Sequence, residues 1–349
     1  MIKITETSEV TALGETPLFR LENSSGAWVE LSVLGAGILG VGVPDRDGRI
    51  ENVALAYSAV ADYYADGPNM GKCPGRYANR IAHGKLVIGD KAYQLNLNLS
   101  PHHLHGGANG FQNQLWKARI VPGGVEFSHF SEAGTENYPG NVSVTITYLW
   151  SEDNVLTIDF CATTDEDTVL NLTNHTYWNL SGADSGSVLD HEMKMKASRY
   201  LETDNTLVPT GKLEPTASTP MDFSDFKKLG KDIAKDFEPL KIAKGYDHCW
   251  VIDDWEPGRM SQEAVVIRDV RSGRTLTIDS DQPGVQIYTG NWLEGSPRNR
   301  SGRYYHDYDG VAVEMQGFPD APNRPEFPSQ LLKPEETYRR RITYSFGLF

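Results

Sequence analysis

Val142, Val144, Ile146, Tyr148 and Trp150 alternate strictly with mostly polar neighbours, and Ser151-Glu152-Asp153-Asn154 then turns the chain back into a second strand-like run at 155–163. Successive side chains of a β-strand point to opposite faces, so this pattern predicts a hairpin with one apolar and one wet face. The signal recurs. Residues 86–95 read as a hairpin with Gly89-Asp90 as its two-residue turn, and 116–121 and 125–130 flank Pro122-Gly123-Gly124. Further strands are expected at 27–34, 38–43, 188–197, 247–252, 263–269, 275–280, 284–289, 310–316 and 338–346. Only 226–237 reads as helix.

The 33 Gly and 19 Pro are scattered, which suits many turns between short strands. Neither a sequence repeat nor a Ser/Gly-rich linker divides the 349 residues. The expected architecture is a single all-β domain spanning 1–349. It would be a large antiparallel β-sandwich whose sheets hide each other's apolar faces, with very little helix. Residues 204–209 and 299–303 read as surface loops.

Asp and Glu number 47 against 33 Lys and Arg, a formal net charge of −14. That balance repels phosphodiester backbones and anionic lipid, so nucleic acid and membrane surfaces are not expected partners. Cys73, Cys161 and Cys249 are odd in number and widely spaced, which fits a reducing compartment better than a disulfide framework. Residues 1–20 lack an apolar leader segment and no run approaches membrane-spanning length, so the chain as written reads as soluble and cytosolic. Monomer and homodimer both stay open.

Chemistry is first suggested by Asn171-Leu172-Thr173-Asn174-His175-Thr176-Tyr177-Trp178. On a strand, Leu170, Leu172 and Asn174 point one way and Asn171, Thr173, His175 and Tyr177 the other. An amide, a hydroxyl, an imidazole and a phenol on one face can grip a polyhydroxylated ligand, and the imidazole can move a proton near neutral pH. A solvated strand face with an incidental His fits the same residues.

Four other stretches stand out. Asn79-Arg80 offers an amide and a guanidinium fork for hydroxyls or a ring oxygen, or an Arg tied to a structural carboxylate. His102-His103-Leu104-His105-Gly106-Gly107 invites a metal, but no H-E-x-x-H motif or Cys pair supplies the further ligand a catalytic site wants. Its two glycines suggest instead a backbone passing close to a ligand or a packed neighbour, with His105 pointing at it. Asp247 precedes an apolar strand, where an Asx-turn residue fits as well as a functional acid. In Val311-Ala312-Val313-Glu314-Met315-Gln316, Glu314 shares a face with Ala312 and Gln316 inside an apolar strand. A carboxylate there is costly unless paired, and buried acids are often functional.

Taken together these stretches resemble the aldose 1-epimerase (galactose mutarotase) family. Asn79-Arg80-Ile81, Leu104-His105-Gly106-Gly107, Leu172-Thr173-Asn174-His175, Tyr246-Asp247-His248, Gly284-Val285-Gln286-Ile287-Tyr288, Glu314-Met315-Gln316 and Phe318-Pro319-Asp320-Ala321 occur in the family's order. The likeness runs from about residue 15 to the C-terminus. It implies a β-sandwich with a monosaccharide in an open cleft. His175 would be general acid and Glu314 general base, with Asn79, Arg80, His105, Tyr177, Asp247 and Gln286 holding hydroxyls and ring oxygen. Interconverting anomers changes no oxidation state and moves no phosphate, so the resemblance implies no cofactor and no metal. Two features depart from the family's pattern: the approach Gly71-Lys72-Cys73-Pro74, and a long Arg-rich loop from Gly295 to Tyr308. Arg298, Arg300 and Arg303 could form a cationic pocket, which keeps a hexose-6-phosphate epimerase as an alternative. A non-catalytic sugar-binding module would need the grips but not both His175 and Glu314.

Overall fold

The computed structural model describes residues 1–349 and is built from antiparallel sheets, the largest of nine strands and the next of six. The nine-stranded sheet runs, in spatial order, Lys117–Val121, Gly124–Ser131, Val142–Trp150, Val155–Thr164, Tyr338–Leu348, Arg274–Ser280, Ser261–Arg268, Glu192–Met195 and Lys227–Lys228. The six-stranded sheet runs Tyr177–Trp178, Val311–Gln316, Gly284–Tyr288, Asp247–Val251, Arg199–Thr203 and Pro209–Pro215. A five-stranded sheet of the first strands, from Lys3–Thr11 to Ile50–Asn52, precedes both in the chain.

The alternation at 142–164 is realised. Val142, Val144, Ile146, Tyr148 and Trp150 are buried, and the register sets Ile146 opposite Phe160 and Tyr148 opposite Ile158. These side chains join a cluster of 57 buried apolar residues to which the nine- and six-stranded sheets both contribute. Removing that apolar surface from water is the main drive for bringing the sheets together. The hairpin Lys85–Ile88/Lys91–Gln94 turns at Gly89-Asp90 as expected. In the next hairpin Gly124 pairs with Val121, so the turn is Pro122-Gly123 alone.

Two expectations are corrected. Residues 226–237 are not a helix: Lys227–Lys228 is an edge strand and Leu229–Lys231 a 3-10 turn, because the Leu229 and Gly230 amides bond to the His191 and Leu189 carbonyls. A Cβ on Gly230 would lie 2.9 Å from that of Leu189, so the chain packs too closely there for a helix with side chains. The α-helix is Glu238–Ala243, just beyond, with Pro239 in its first turn. Second, 170–180 is not one long strand with a wet polar face. Only Tyr177–Trp178 pairs in the sheet, and every residue from Leu170 to Leu180 is buried on both sides. Residues 299–303 form the surface loop expected, exposed at every position but Asn299, whose Oδ1 accepts the Arg303 amide. The amino-terminal hairpin Lys3–Thr11/Gly14–Glu22 went unread because its first strand is polar and largely exposed. No helix is long and apolar enough to cross a membrane.

Candidate active site

Pairing in the six-stranded sheet decides which residues share a face. Glu314 lies opposite Gln286, Ala312 opposite Tyr288, and Tyr288 opposite Asp247. Val285, Ile287, Val311, Val313 and Met315 point the other way into the 57-residue core. The alternation read at 311–316 therefore holds, with apolar groups on one face and Glu314 on the other. Tyr177 pairs with Ala312 and so brings the 171–180 segment alongside. His175 Nε2 comes to 3.5 Å from Glu314 Oε1, both side chains almost fully buried.

A second wall comes from the short pair Arg80–Ile81/His103–Leu104. Asn79 and His105 flank it, both with left-handed backbone (φ 64° and 53°), and they bond to each other. The His105 amide donates to the Asn79 carbonyl (3.0 Å), and the Asn79 amide donates to His105 Nδ1 (3.1 Å). Since Nδ1 accepts, neutral His105 carries its proton on Nε2 and is a donor there. A Cβ on Gly106 would fall 1.8 Å from the Gly75 carbonyl oxygen, so the close approach implied by the glycines is to a packed neighbour. The other two histidines are structural. His103 bridges the Asn96 carbonyl and the Tyr138 hydroxyl, and His102 Nδ1 accepts the His83 amide.

Between these walls lies a cleft of about 600 Å³ lined by Asn79, Arg80, His105, His175, Tyr177, Asp247 and Glu314. Gln286 is not on its surface. It stands behind Asp247 and donates to Asp247 Oδ1 (2.6 Å), while Arg80 faces the other oxygen at 3.8 Å. Arg80 Nε, His175 Nδ1 and Glu314 Oε2 have no protein partner, which is costly for buried polar atoms and suits a hydroxyl-rich ligand. Sequence reasoning missed Leu207, Tyr288 and Trp292 in the lining. Tyr288 was within reach, two residues after Gln286 on the same face. Leu207 and Trp292 come from loops whose sequence has no periodicity to betray them. Trp292 is half exposed and stacks nearly parallel on Tyr288 (18°, centroids 6.4 Å apart).

The comparisons with known proteins agree with this geometry. The aldose 1-epimerase family model matches residues 17–345. The chain belongs to the aldose 1-epimerase family. Galactose mutarotase from Sus scrofa is 36% identical over 335 residues, covering 96% of this chain and 95% of that protein. The Homo sapiens galactose mutarotase is 37% identical over 92% of this chain and 91% of its own. The solved GalM/aldose epimerase homologue from C. elegans superposes with a TM-score of 0.87 at 30% identity, covering 98% and 99% of the two chains. The expected all-β sandwich of galactose-mutarotase type is thus the fold observed.

Burial dominates the electrostatics of this epimerase site. It lowers His175 to about 4, with the Asp247 carboxylate opposing and the Lys72 charge adding to the effect. Glu314 is raised well above the usual carboxylate range, first by burial and then by Asp247, against Arg80. His105 is pushed well below its ordinary value by burial and by His175, so it stays neutral. Burial thus acts in opposite directions on the two groups, lowering the proton affinity of the imidazole and raising that of the carboxyl. His105, His175 and Glu314 also present atoms within 4.8 Å of one another, the grouping here that could face a cation. His105 Nδ1 is already engaged by Asn79, which leaves it only Nε2.

Proposed function

We propose that His175 and Glu314 are the proton-moving pair of an enzyme that interconverts the α and β anomers of free aldoses, with the whole chain as one catalytic unit. Anomer exchange needs the C1 hydroxyl proton removed and the ring oxygen protonated. Glu314 takes the first proton and His175 supplies the second. The ring opens to the aldehyde, C1 turns about its bond to C2, and closure reverses both transfers. The pair begins as imidazolium and carboxylate and, once the ring is open, stands as neutral imidazole and carboxylic acid. The neutral form is the one burial favours, so the apolar surroundings pull the pair towards ring opening. Asp247 acts the other way, favouring the imidazolium needed at the start.

Asn79, Arg80, Tyr177 and Asp247 face the same cleft and hold the hydroxyls, with the His105 Nε2–H as a fixed donor. Gln286 acts through Asp247. The three cysteines are free, two of them buried, which supports a reducing, cytoplasmic setting. The observation that carries the reading is the 3.5 Å approach of two buried, oppositely tuned groups on one cleft floor.

The phosphorylated-sugar alternative loses its cationic pocket. Arg300 pairs with Glu30 at 2.7 Å and donates to the Leu39 carbonyl, Arg303 donates to the Asp184 carbonyl, and Arg298 donates to the Gly302 carbonyl. None of the three lines the cleft. Polarimetry on freshly dissolved α-D-glucose and α-D-galactose tests the proposal, with glucose 6-phosphate in parallel. Accelerated mutarotation of the neutral sugars is expected. Much faster turnover of the phosphate overturns the substrate class, and binding without acceleration leaves a sugar-binding module.

A further inference from the structure

Behind the cleft lies a charge pair that the chemistry above does not use. Lys72 and Asp66 have side chains 1% and 0% exposed, with Nζ 2.5 Å from Asp66 Oδ1. Lys72 Nζ also donates to the Tyr63 carbonyl (2.6 Å) and to Asn113 Oδ1 (3.1 Å), so its three donors are all taken. Asp66 Oδ2 accepts the Met70 amide (2.8 Å) and the Tyr57 hydroxyl (3.1 Å). The pair thus ties the two ends of segment 66–72 to each other and to two other parts of the chain.

That segment reaches the chemistry at three places. The Gly71 amide donates to the His175 carbonyl (3.0 Å), and the His175 amide donates to the Lys72 carbonyl (2.9 Å), so His175 is held from both sides. The Tyr177 hydroxyl donates to the Pro68 carbonyl at 3.0 Å. Gly67, Pro68 and Asn69 themselves line the cleft. The segment has little freedom to be held otherwise. Gly71 has φ +70°, and a Cβ there would lie 1.9 Å from the Ile38 carbonyl oxygen. A fully buried ion pair is a poor source of net stability, since desolvation offsets the attraction, and its better-attested use is to select one arrangement.

We propose that Lys72 and Asp66 are positioning residues for the epimerase reaction, locking segment 66–72 so that the backbone of His175 and the hydroxyl of Tyr177 stand in their working places. The proposal rests on the proton-moving role of His175. Its consequence falls mainly on kcat: a general acid displaced by a fraction of an ångström loses rate, while of the proposed sugar grips only Tyr177 shares the displacement and Asn79, Arg80, His105 and Asp247 are untouched.

The test is steady-state mutarotation of galactose by wild type and Lys72→Met, with folding followed by circular dichroism and thermal melting. A folded Lys72→Met protein should lose ~10-fold or more in kcat while KM stays within about threefold. A folded variant with wild-type kcat, or with its damage mainly in KM, overturns the proposal. Should Lys72→Met not fold, Asp66→Asn, which keeps the shape and the Met70 contact, is read by the same criteria. If neither folds, the pair is a determinant of the whole fold and the positioning role is rejected. A wild type that accelerates no aldose instead removes the function itself, a distinct outcome.

Discussion

The strands Val142–Trp150 and Val311–Gln316 are both antiparallel, both interior to their sheets, and differ in how many faces are buried. The first buries every other residue and shows the rest at least partly to solvent. The second buries all six, including Glu314 and Gln316. Hydrophobic partition explains the first strand, because Ser143, Thr145 and Thr147 keep some water and the one buried hydroxyl, that of Tyr148, donates to the Ala36 carbonyl. It cannot explain the second, where a carboxylate 2% exposed costs desolvation that the fold does not require. A polar group held against its own burial marks where sequence serves reaction rather than fold, and substitutions in the two strands should separate accordingly.

The sharpest separation is expected at the proposed proton-moving pair. Glu314→Gln keeps shape and hydrogen-bonding reach but removes the base, so kcat should fall by ~10²-fold or more with sugar affinity changed far less. Thermal stability should hold or rise, since an amide is cheaper to bury than a charge. His175→Asn should behave alike, and the double variant should lose less than the two losses added in free energy, because the groups act as a unit. A folded Glu314→Gln enzyme with near wild-type rate ends the assignment.

Ile146→Ala on the other strand should invert this pattern. Truncating a fully buried side chain opposite Phe160 should cost ~2–5 kcal/mol of stability, read by urea denaturation. Activity per folded molecule should be unchanged. A variant that kept stability but lost turnover would erase the distinction between the strands.

The two strands also differ in how readable they were. In Val142–Trp150 alternation reports burial directly, because one face is wet. For 170–180 the same rule misled: with both faces buried, Asn171 and Asn174 satisfy backbone groups instead of solvent. Asn171 bonds to Ala78, Gly317 and the Gly317 amide, and Asn174 caps Thr176 and the Gly71 carbonyl. His175, Glu314 and the proposed grips were legible as residue types out of place, and as pieces of a family order. Their convergence was not, because it depends on cross-strand register such as Tyr177 opposite Ala312, which a single chain does not announce. Leu207 and Trp292 were illegible for a related reason: loops carry no period.

The pH profile tests the coupled pair itself. Because burial holds His175 down to about 4, lowering the pH from 7 through the ordinary imidazole range should leave kcat nearly flat. Rate should fall as pH drops through about 4, where His175 protonates beside a carboxyl whose proton affinity burial has raised and no base remains. On the alkaline side the limit comes when Glu314, raised by burial, loses its proton. Loss of half the activity near pH 6.5 would place His175 in contact with water, like a residue on the wet face of Val142–Trp150.

A smaller effect is expected at Asp247, which lines the cleft and is proposed to hold a hydroxyl. Asp247→Asn removes charge from a hydroxyl grip, so its damage should fall more heavily on KM than Glu314→Gln does, by about a factor of ten in KM. Gln286→Leu should follow it weakly, through the lost 2.6 Å bond.

The smallest effect should come from the loop that looked most suggestive in sequence. Arg298, Arg300 and Arg303 each end on a partner within the protein, and none reaches the cleft. They belong with the strand 142–150 side of the comparison, holding shape. Replacing all three with Gln keeps much of their hydrogen bonding and removes three charges. Glucose mutarotation should stay within about twofold of wild type, as expected when neither ground-state nor transition-state contacts change. Stability should drop by no more than ~1 kcal/mol per exposed pair, and less in high salt, because half-exposed ion pairs contribute little. Arg300 should account for most of that loss, since it alone among the three faces a carboxylate, Glu30, while also bonding to the main chain at Leu39. A large, charge-dependent fall in turnover would instead mean that the loop swings its guanidinium groups over the bound sugar, and would reopen the phosphorylated substrates that the static contacts argue against.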